Sequence, residues 1–258
     1  LMDYFWPGPL AIIFKKSKNI PDEVTAGLET VAIRMPDDPI ALSLIESSGV
    51  PIAAPSANIS GKPSPTAPEH VIKDMEGRVD IILCSKDTRI GVESTVLDIS
   101  GDKPTILRPG GVTLEELKRI LGDVEIDKGI TEPGMIPKSP GMKYIHYAPK
   151  APMTVVKGED DKVREKILEL AGKAKKEGLK VGILTVDENI GYYNNYISIS
   201  LGSKNDTGEL AHNFFSALRD FDKLEVDIIF AEAISEEHLG LAVMNRMKKA
   251  AGFNIVEV

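Results

Sequence analysis

Short apolar runs bounded by turn formers fill the first half of the chain, and longer helical stripes fill the second. Residues 29–36 (ETVAIRMP), 91–98 (GVESTVLD) and 105–111 (TILRPGG) each read as a short strand with a turn at one end. Residues 50–54 (VPIAA) form a further apolar run that predicts a short buried strand. Pro55, Pro63 and Pro65 follow it, and because proline removes backbone donors and fixes the chain direction, residues 55–65 predict a rigid polar loop. Thr113 with Glu116 is a capping box opening a helix from Leu114 to Leu121, which Gly122 ends.

No periodicity persists across residues 124–152, where Pro133, Pro137, Pro140, Pro149 and Pro152 alternate with Gly129, Gly134 and Gly141. That stretch predicts a linker, although the aromatic and basic cluster Lys143, Tyr144, Ile145, His146 and Tyr147 argues against disorder. Beyond it a strand at residues 153–156 leads to a helix over 160–177, with Val163, Ile167, Leu170, Ala171 and Ala174 on one face and Gly178 as the stop. Residues 180–186 predict the next strand. Asp206 and Glu209 can cap a helix in which Leu210, Phe214, Leu218 and Phe221 repeat at helical spacing, a stripe that marks core. Strands at 226–231 and 253–258 flank a helix over 241–250. Such βαβ alternation predicts an open, largely parallel sheet covered by helices. No Gly-x-Gly-x-x-Gly follows Val156 or Val186, so the pattern gives no support for dinucleotide binding there.

Composition narrows the chemistry. The 258 residues are 42% hydrophobic and 27% charged, as expected of one or two globular domains. No apolar run reaches the roughly 18 residues a bilayer span needs, and the N-terminus has no basic region followed by an apolar core, so a cytoplasmic location is expected. Cys84 is the only cysteine, which excludes an internal disulfide and a thiolate metal cage; its apolar setting in residues 81–84 (IILC) predicts a small structural cysteine at a strand end. His70, His146, His212 and His238 show no metal-ligand spacing. Residues 1–123 hold 13 Lys and Arg against 18 Asp and Glu, and residues 124–258 hold 18 against 21. Neither half is basic, which opposes a large nucleic-acid footprint.

Local basic groups sit inside the motifs instead. Arg34 ends one strand and Arg108 another, each a fork suited to a carboxylate or phosphate if it faces inward. The loop after residue 54 offers Ser56, Asn58, Ser60, Lys62 and Ser64, and a rigid polar loop leaving a strand is where α/β proteins place ligand-binding groups.

Five blocks in order, TVAIRMP, PSANISGKPSPT, GVESTVLD, ILRPGG and SPGMKYIHYAP, closely resemble the L-threonylcarbamoyl-AMP synthase family. The resemblance spans essentially the whole chain and implies its long form. The fold class implied is α/β: a YrdC-like twisted-sheet catalytic domain over residues 1–123, incomplete at its N-terminal side, a Pro/Gly-rich linker or lid over 124–152, and a smaller Rossmann-like domain with a largely parallel sheet over 153–258. Residues 1–10 (LMDYFWPGPL) are similar to a mid-domain segment of the family. A strand of the catalytic sheet and a lysine and arginine facing the ATP phosphates are therefore expected upstream of Leu1, and residues 1–258 alone are expected to expose a sheet edge and to lack measurable turnover.

The reaction this resemblance implies joins threonine and bicarbonate as a carbamate, whose oxygen attacks the α-phosphorus of ATP to give threonylcarbamoyl-AMP and pyrophosphate. A separate transferase then passes the group to the adenosine beside the anticodon in certain tRNAs. No enzyme nucleophile is required, and magnesium is expected with the ATP. Carried over by position, Arg34 binds the threonine carboxylate, with Ser94 and the backbone at Ala54 beside it. Thr30, Ser56, Asn58, Ser64 and Arg108 contact ATP, and Tyr144 closes over the nucleotide. A non-enzymatic RNA-binding module on the same fold is the alternative, opposed by the acidic balance of both halves. A hydrogenase-maturing carbamoyltransferase is excluded for want of the cysteines its zinc modules need.

Overall fold

The computed structural model describes residues 1–131 and 146–258. In chain order these form α1 (Met2–Phe5), β1 (Leu10–Lys15), α2 (Asp22–Thr25), β2 (Thr30–Ile33), α3 (Pro39–Ser48), α4 (Pro68–Met75), β3 (Thr95–Asp98), β4 (Thr105–Arg108), α5 (Leu114–Leu121), β5 (Glu125–Ile126) and α6 (Lys128–Thr131). After the linker come β6 (Met153–Lys157), α7 (Asp160–Lys176), β7 (Val181–Thr185), β8 (Ile197–Ser200), α8 (Thr207–Leu224), β9 (Ile228–Glu232), α9 (Gly240–Ala250) and β10 (Ile255–Glu257). They divide into two compact units. One holds Leu1–Ser56, Leu83–Ser85 and the described residues from Glu93 to 131; the other holds Ala57–Ile82, Lys86–Val92 and the described residues from 146 to Val258.

The first unit is a mixed sheet in the order β2-β1-β3-β4-β5. β1 sits between an antiparallel neighbour, β2, and a parallel one, β3. Its alternate residues Leu10 and Ile12 are buried and pack with Leu97, Ile106, Val112, Leu117 and Val124. This period-two burial is what a sheet with one covered face requires. The capping box forms as the sequence requires: Thr113 Oγ1 accepts from Glu116 N at 3.2 Å, and Glu116 Oε2 accepts from Thr113 N at 2.7 Å.

Three expectations are corrected here. Residues 50–54 belong to no ladder among the described residues, and Val50 and Ile52 are exposed. Pro51 within that run and Pro55 just after it each remove a backbone donor, which weakens the stretch as a ladder partner. Residues 81–84 form no strand either, so Ile81 and Leu83 are exposed and Cys84 is an exposed thiol instead of a buried structural one. Within the stretch expected to lack periodicity, Glu125 and Ile126 pair with Thr105 and Ile106 as β5. The two-residue strand is too short to leave a periodic trace.

The second unit carries an all-parallel sheet in the order β10-β6-β9-β7-β8, as the βαβ alternation predicts. Its central strands β6, β9 and β7 are buried on both faces, β7 along its whole length, while the edge strands β8 and β10 are only partly covered. Phe214, Phe215, Leu218 and Phe221 of α8 fill one side with Val243, Met244 and Met247 of α9, each large side chain contributing about 1.5–3 kcal/mol by leaving water. Val163, Ile167 and Ala171 of α7 cover the other side. Asp206 caps α8 by accepting from Gly208 N and Glu209 N at 2.9 and 3.0 Å; Glu209, expected to cap with it, bonds Ser203 N at 3.0 Å. Among the described residues no helix is long and apolar enough to cross a membrane.

Candidate active site

In the first unit the strand register decides which motif residues meet. Ile33 pairs with Ile12, Leu10 with Thr95, and Val96 with Arg108. The end of β2, the start of β3 and the end of β4 therefore lie along one rim, which gathers Arg34, Ser94 and Arg108. Across the sheet, two strand spacings of about 5 Å each separate the Arg34 backbone from that of Ser94. Gly8 N donates to Met35 O at 2.8 Å, and this bond holds the chain just past Arg34.

Ser94 is buried and clasped by Arg108. The guanidinium donates from Nε (3.2 Å) and NH2 (2.9 Å) to the Ser94 carbonyl, and from NH2 to its hydroxyl at 3.2 Å. Next to it, Thr95 Oγ1 donates to Val112 O at 2.5 Å and accepts from Val112 N at 3.0 Å. A side chain on Gly110 would put its Cβ 2.3 Å from Glu93 O, so the ILRPGG turn needs glycine to close against the GVEST turn. The two motifs supply each other's backbone partners: Arg108 donates to Ser94 O, and Gly111 N donates to Glu93 O at 3.0 Å.

Thr30 pairs with Lys15 at the opposite end of β2, about 13 Å along the strand from Arg34. Ala54 and Ser56 lie on the exposed extended segment after α3. Arg34 is itself exposed, with its guanidinium available to a ligand. Tyr144 lies outside the described residues.

Asn58 and Ser64 belong to the second unit, on a loop that is densely tied. Asn58 Nδ2 donates to Ile59 O (3.0 Å) and Lys62 O (3.3 Å), and Gly61 O accepts from Ala148 N at 2.9 Å. Ser64 is buried. Pro63 O accepts from Arg219 NH2 at 2.6 Å, and the same nitrogen donates to Asp74 Oδ2 at 2.7 Å. Burial would push the Asp74 carboxyl up, but the Arg219 hydrogen bond and charge, with Lys62 nearby, outweigh it and hold the group below the usual carboxylate range. His70 Nδ1 accepts from Thr66 N and Ala67 N at 3.2 and 3.3 Å. Of the linker cluster, His146 and Tyr147 are described, and the Tyr147 ring lies 5.2 Å from that of Phe215.

Sequence reasoning passed over Arg219 and Asp74, and weighed His70 only as a metal ligand. A signal was present for the first: Ala211, Phe215 and Arg219 are spaced by four along α8, so Arg219 continues a buried stripe. At the carboxyl end of the parallel sheet, Glu232 is likewise buried and accepts from Thr185 Oγ1 (2.7 Å), Asn189 Nδ2 (3.1 Å) and Tyr193 OH (2.6 Å). Burial, then that carboxylate, raise the Tyr193 phenol. Among the described residues no three His, Cys, Asp or Glu side chains converge on a metal position.

A mixed sheet with Arg34 and Arg108 along one rim and a second, all-parallel sheet with helices define a two-unit α/β protein. Comparison with known proteins narrows the class. Residues 1–110 match a family described as telomere recombination, and residues 112–252 match the threonylcarbamoyl-AMP synthase C-terminal domain family. The threonylcarbamoyl-AMP synthase of Pyrococcus abyssi is 50% identical over 255 residues, 98% of this chain and 73% of that protein. The Bacillus subtilis enzyme of the same name is 47% identical over 257 residues, 99% of this chain and 73% of that one. A crystal structure of P. abyssi Sua5 complexed with L-threonine superposes with a TM-score of 0.91 at 48% identity, covering 100% of this chain and 74% of that one. The chain belongs to the threonylcarbamoyl-AMP synthase family.

Proposed function

We propose that this chain is the synthase part that forms threonylcarbamoyl-AMP and pyrophosphate from L-threonine, bicarbonate and ATP. The observation that carries the reading is the shared rim of Arg34, Ser94 and Arg108, with Arg108 fixing Ser94. Arg34 pairs with the threonine carboxylate, leaving the amine near Ser94 and the Ala54 backbone. Arg108, held by the Ser94 carbonyl, keeps its charge at the rim for the nucleotide. Asn58, Ser64, Ser56 and Thr30 are the further ATP contacts, with Tyr144 closing over the nucleotide.

Catalysis then needs positioning, not a nucleophile from the chain. The carbamate is unstable in water, so the enzyme has to hold amine, one-carbon donor and α-phosphorus in line and exclude solvent. Among the described residues the site offers arginines, hydroxyls and an amide and no carboxylate cluster, a donor set that would fit magnesium carried in on the triphosphate. Bound there, the ion would offset charge on the departing pyrophosphate. The product serves a separate tRNA threonylcarbamoyl transferase, in the cytoplasm.

Calorimetric titration of Arg34→Ala with each ligand tests the assignment. Losing a charge-assisted carboxylate pair should cost about 2–4 kcal/mol of threonine binding and leave ATP affinity nearly unchanged. Unaltered threonine affinity would remove Arg34 from the site.

A further inference from the structure

The loop that carries Asn58 and Ser64 is held by a helix of the C-terminal region. Arg219 of α8 is 6% exposed, Asp74 is 1% exposed, and one guanidinium nitrogen bonds both the Asp74 carboxylate and the Pro63 carbonyl. Lys62 approaches the other Asp74 oxygen at 4.0 Å. The guanidinium therefore ties the loop to α4 and both to α8.

Two neighbouring contacts make α8 a platform for this segment. Gly91, at φ +81°, lies so close to α8 that a Cβ would be 2.4 Å from Ala211 O. His212 Nδ1 lies 3.2 Å from Arg89 O. The loop also closes on the end of the linker through Gly61 O and Ala148 N. Inside the loop Asn58 Nδ2 and Lys62 N close a local turn on Ile59 O, while the bonds from Arg219 to Pro63 O, from Ala148 N to Gly61 O and from the Ile59 backbone to Asp74 fix that turn against its surroundings.

We infer that Arg219 is a positioning residue for ATP, acting through Pro63 and Asp74 to fix the loop bearing Asn58 and Ser64. The C-terminal region thereby takes part in nucleotide binding without touching the nucleotide through this residue. The inference rests on the ATP contacts proposed above. It separates two effects that a general loss of fold would merge: Arg219 should matter for ATP and not for threonine, whose proposed contacts Arg34, Ala54 and Ser94 all belong to the first unit.

The test is Arg219→Met in the full chain, which keeps the aliphatic stem and removes the fork, alongside Arg219→Lys and Asp74→Asn. Hydrogen exchange should show at least tenfold faster exchange at the Lys62 amide and its loop, with β6, β7 and β9 unchanged. ATP affinity should fall about tenfold while threonine affinity stays within twofold, and Arg219→Lys should recover part of the ATP loss. If the loop keeps its protection, or loosens without changing ATP affinity, the inference fails while the functional reading stands. Equal losses for both ligands, or exchange spreading through the parallel sheet, would make Arg219 merely structural and overturn it. ATP affinity left unchanged by Asn58→Ala and Ser64→Ala together would overturn the ATP assignment and the inference together.

Discussion

Replacing His70 with alanine should loosen the start of α4 by roughly 2–4 kcal/mol, and the effect should fade in acid. The imidazole is 2% exposed and its Nδ1 accepts from two amides, Thr66 N and Ala67 N, where α4 begins. Each amide left buried without an acceptor costs about 1–3 kcal/mol, and loss of a helix-start acceptor typically about 1 kcal/mol. Because Nδ1 accepts, the ring must be neutral with its proton on Nε2; a charged ring would set a third N–H against the two amides. Burial first, then the charges of Arg219 and Lys223, lower its pKa below the ordinary histidine value. Between the folded pKa and about 6.5 the unfolded chain therefore binds more protons, so stability rises with pH across that window. The contribution is fully present above about pH 6.5 and is lost as pH falls through the folded value. Amide exchange at Thr66 and Ala67, compared between parent and variant at about pH 8 and about pH 5, measures both quantities. A gap under about 0.5 kcal/mol at the higher pH, or one equally large at both, would refute the neutral-acceptor argument.

Tyr193→Phe removes the 2.6 Å bond to buried Glu232 and should cost about 1.5–3 kcal/mol in calorimetric melting; in the parent, ultraviolet titration should leave one tyrosine un-ionised after the exposed ones have titrated. Gly110→Ala should displace the ILRPGG turn from the GVEST turn, since its Cβ would fall 2.3 Å from Glu93 O. Loss of threonine binding with a melting point lowered by several degrees is expected, and a variant that binds like the parent would show the turn to be tolerant.

Much of the architecture was legible in the chain because it follows from local rules. The α8 stripe at Leu210, Phe214, Leu218 and Phe221, the Thr113–Glu116 capping box and the parallel βαβ alternation are all set by spacing within one element or between adjacent ones. The five motif blocks named the family for the same reason: each is contiguous. What spacing could not supply was the partner. Residues 50–54 and 81–84 have the composition of strands, yet whether they pair depends on reaching an edge elsewhere, and among the described residues they join none. Arg34, Ser94 and Arg108 share a rim only because the register sets Ile12 against Ile33, Leu10 against Thr95 and Val96 against Arg108. Arg219 and Asp74 lie 145 positions apart, and no periodicity couples residues at that distance. Their bond forms only because folding brings both charges out of water at one place, which is a property of tertiary packing and not of either residue's neighbours in the sequence.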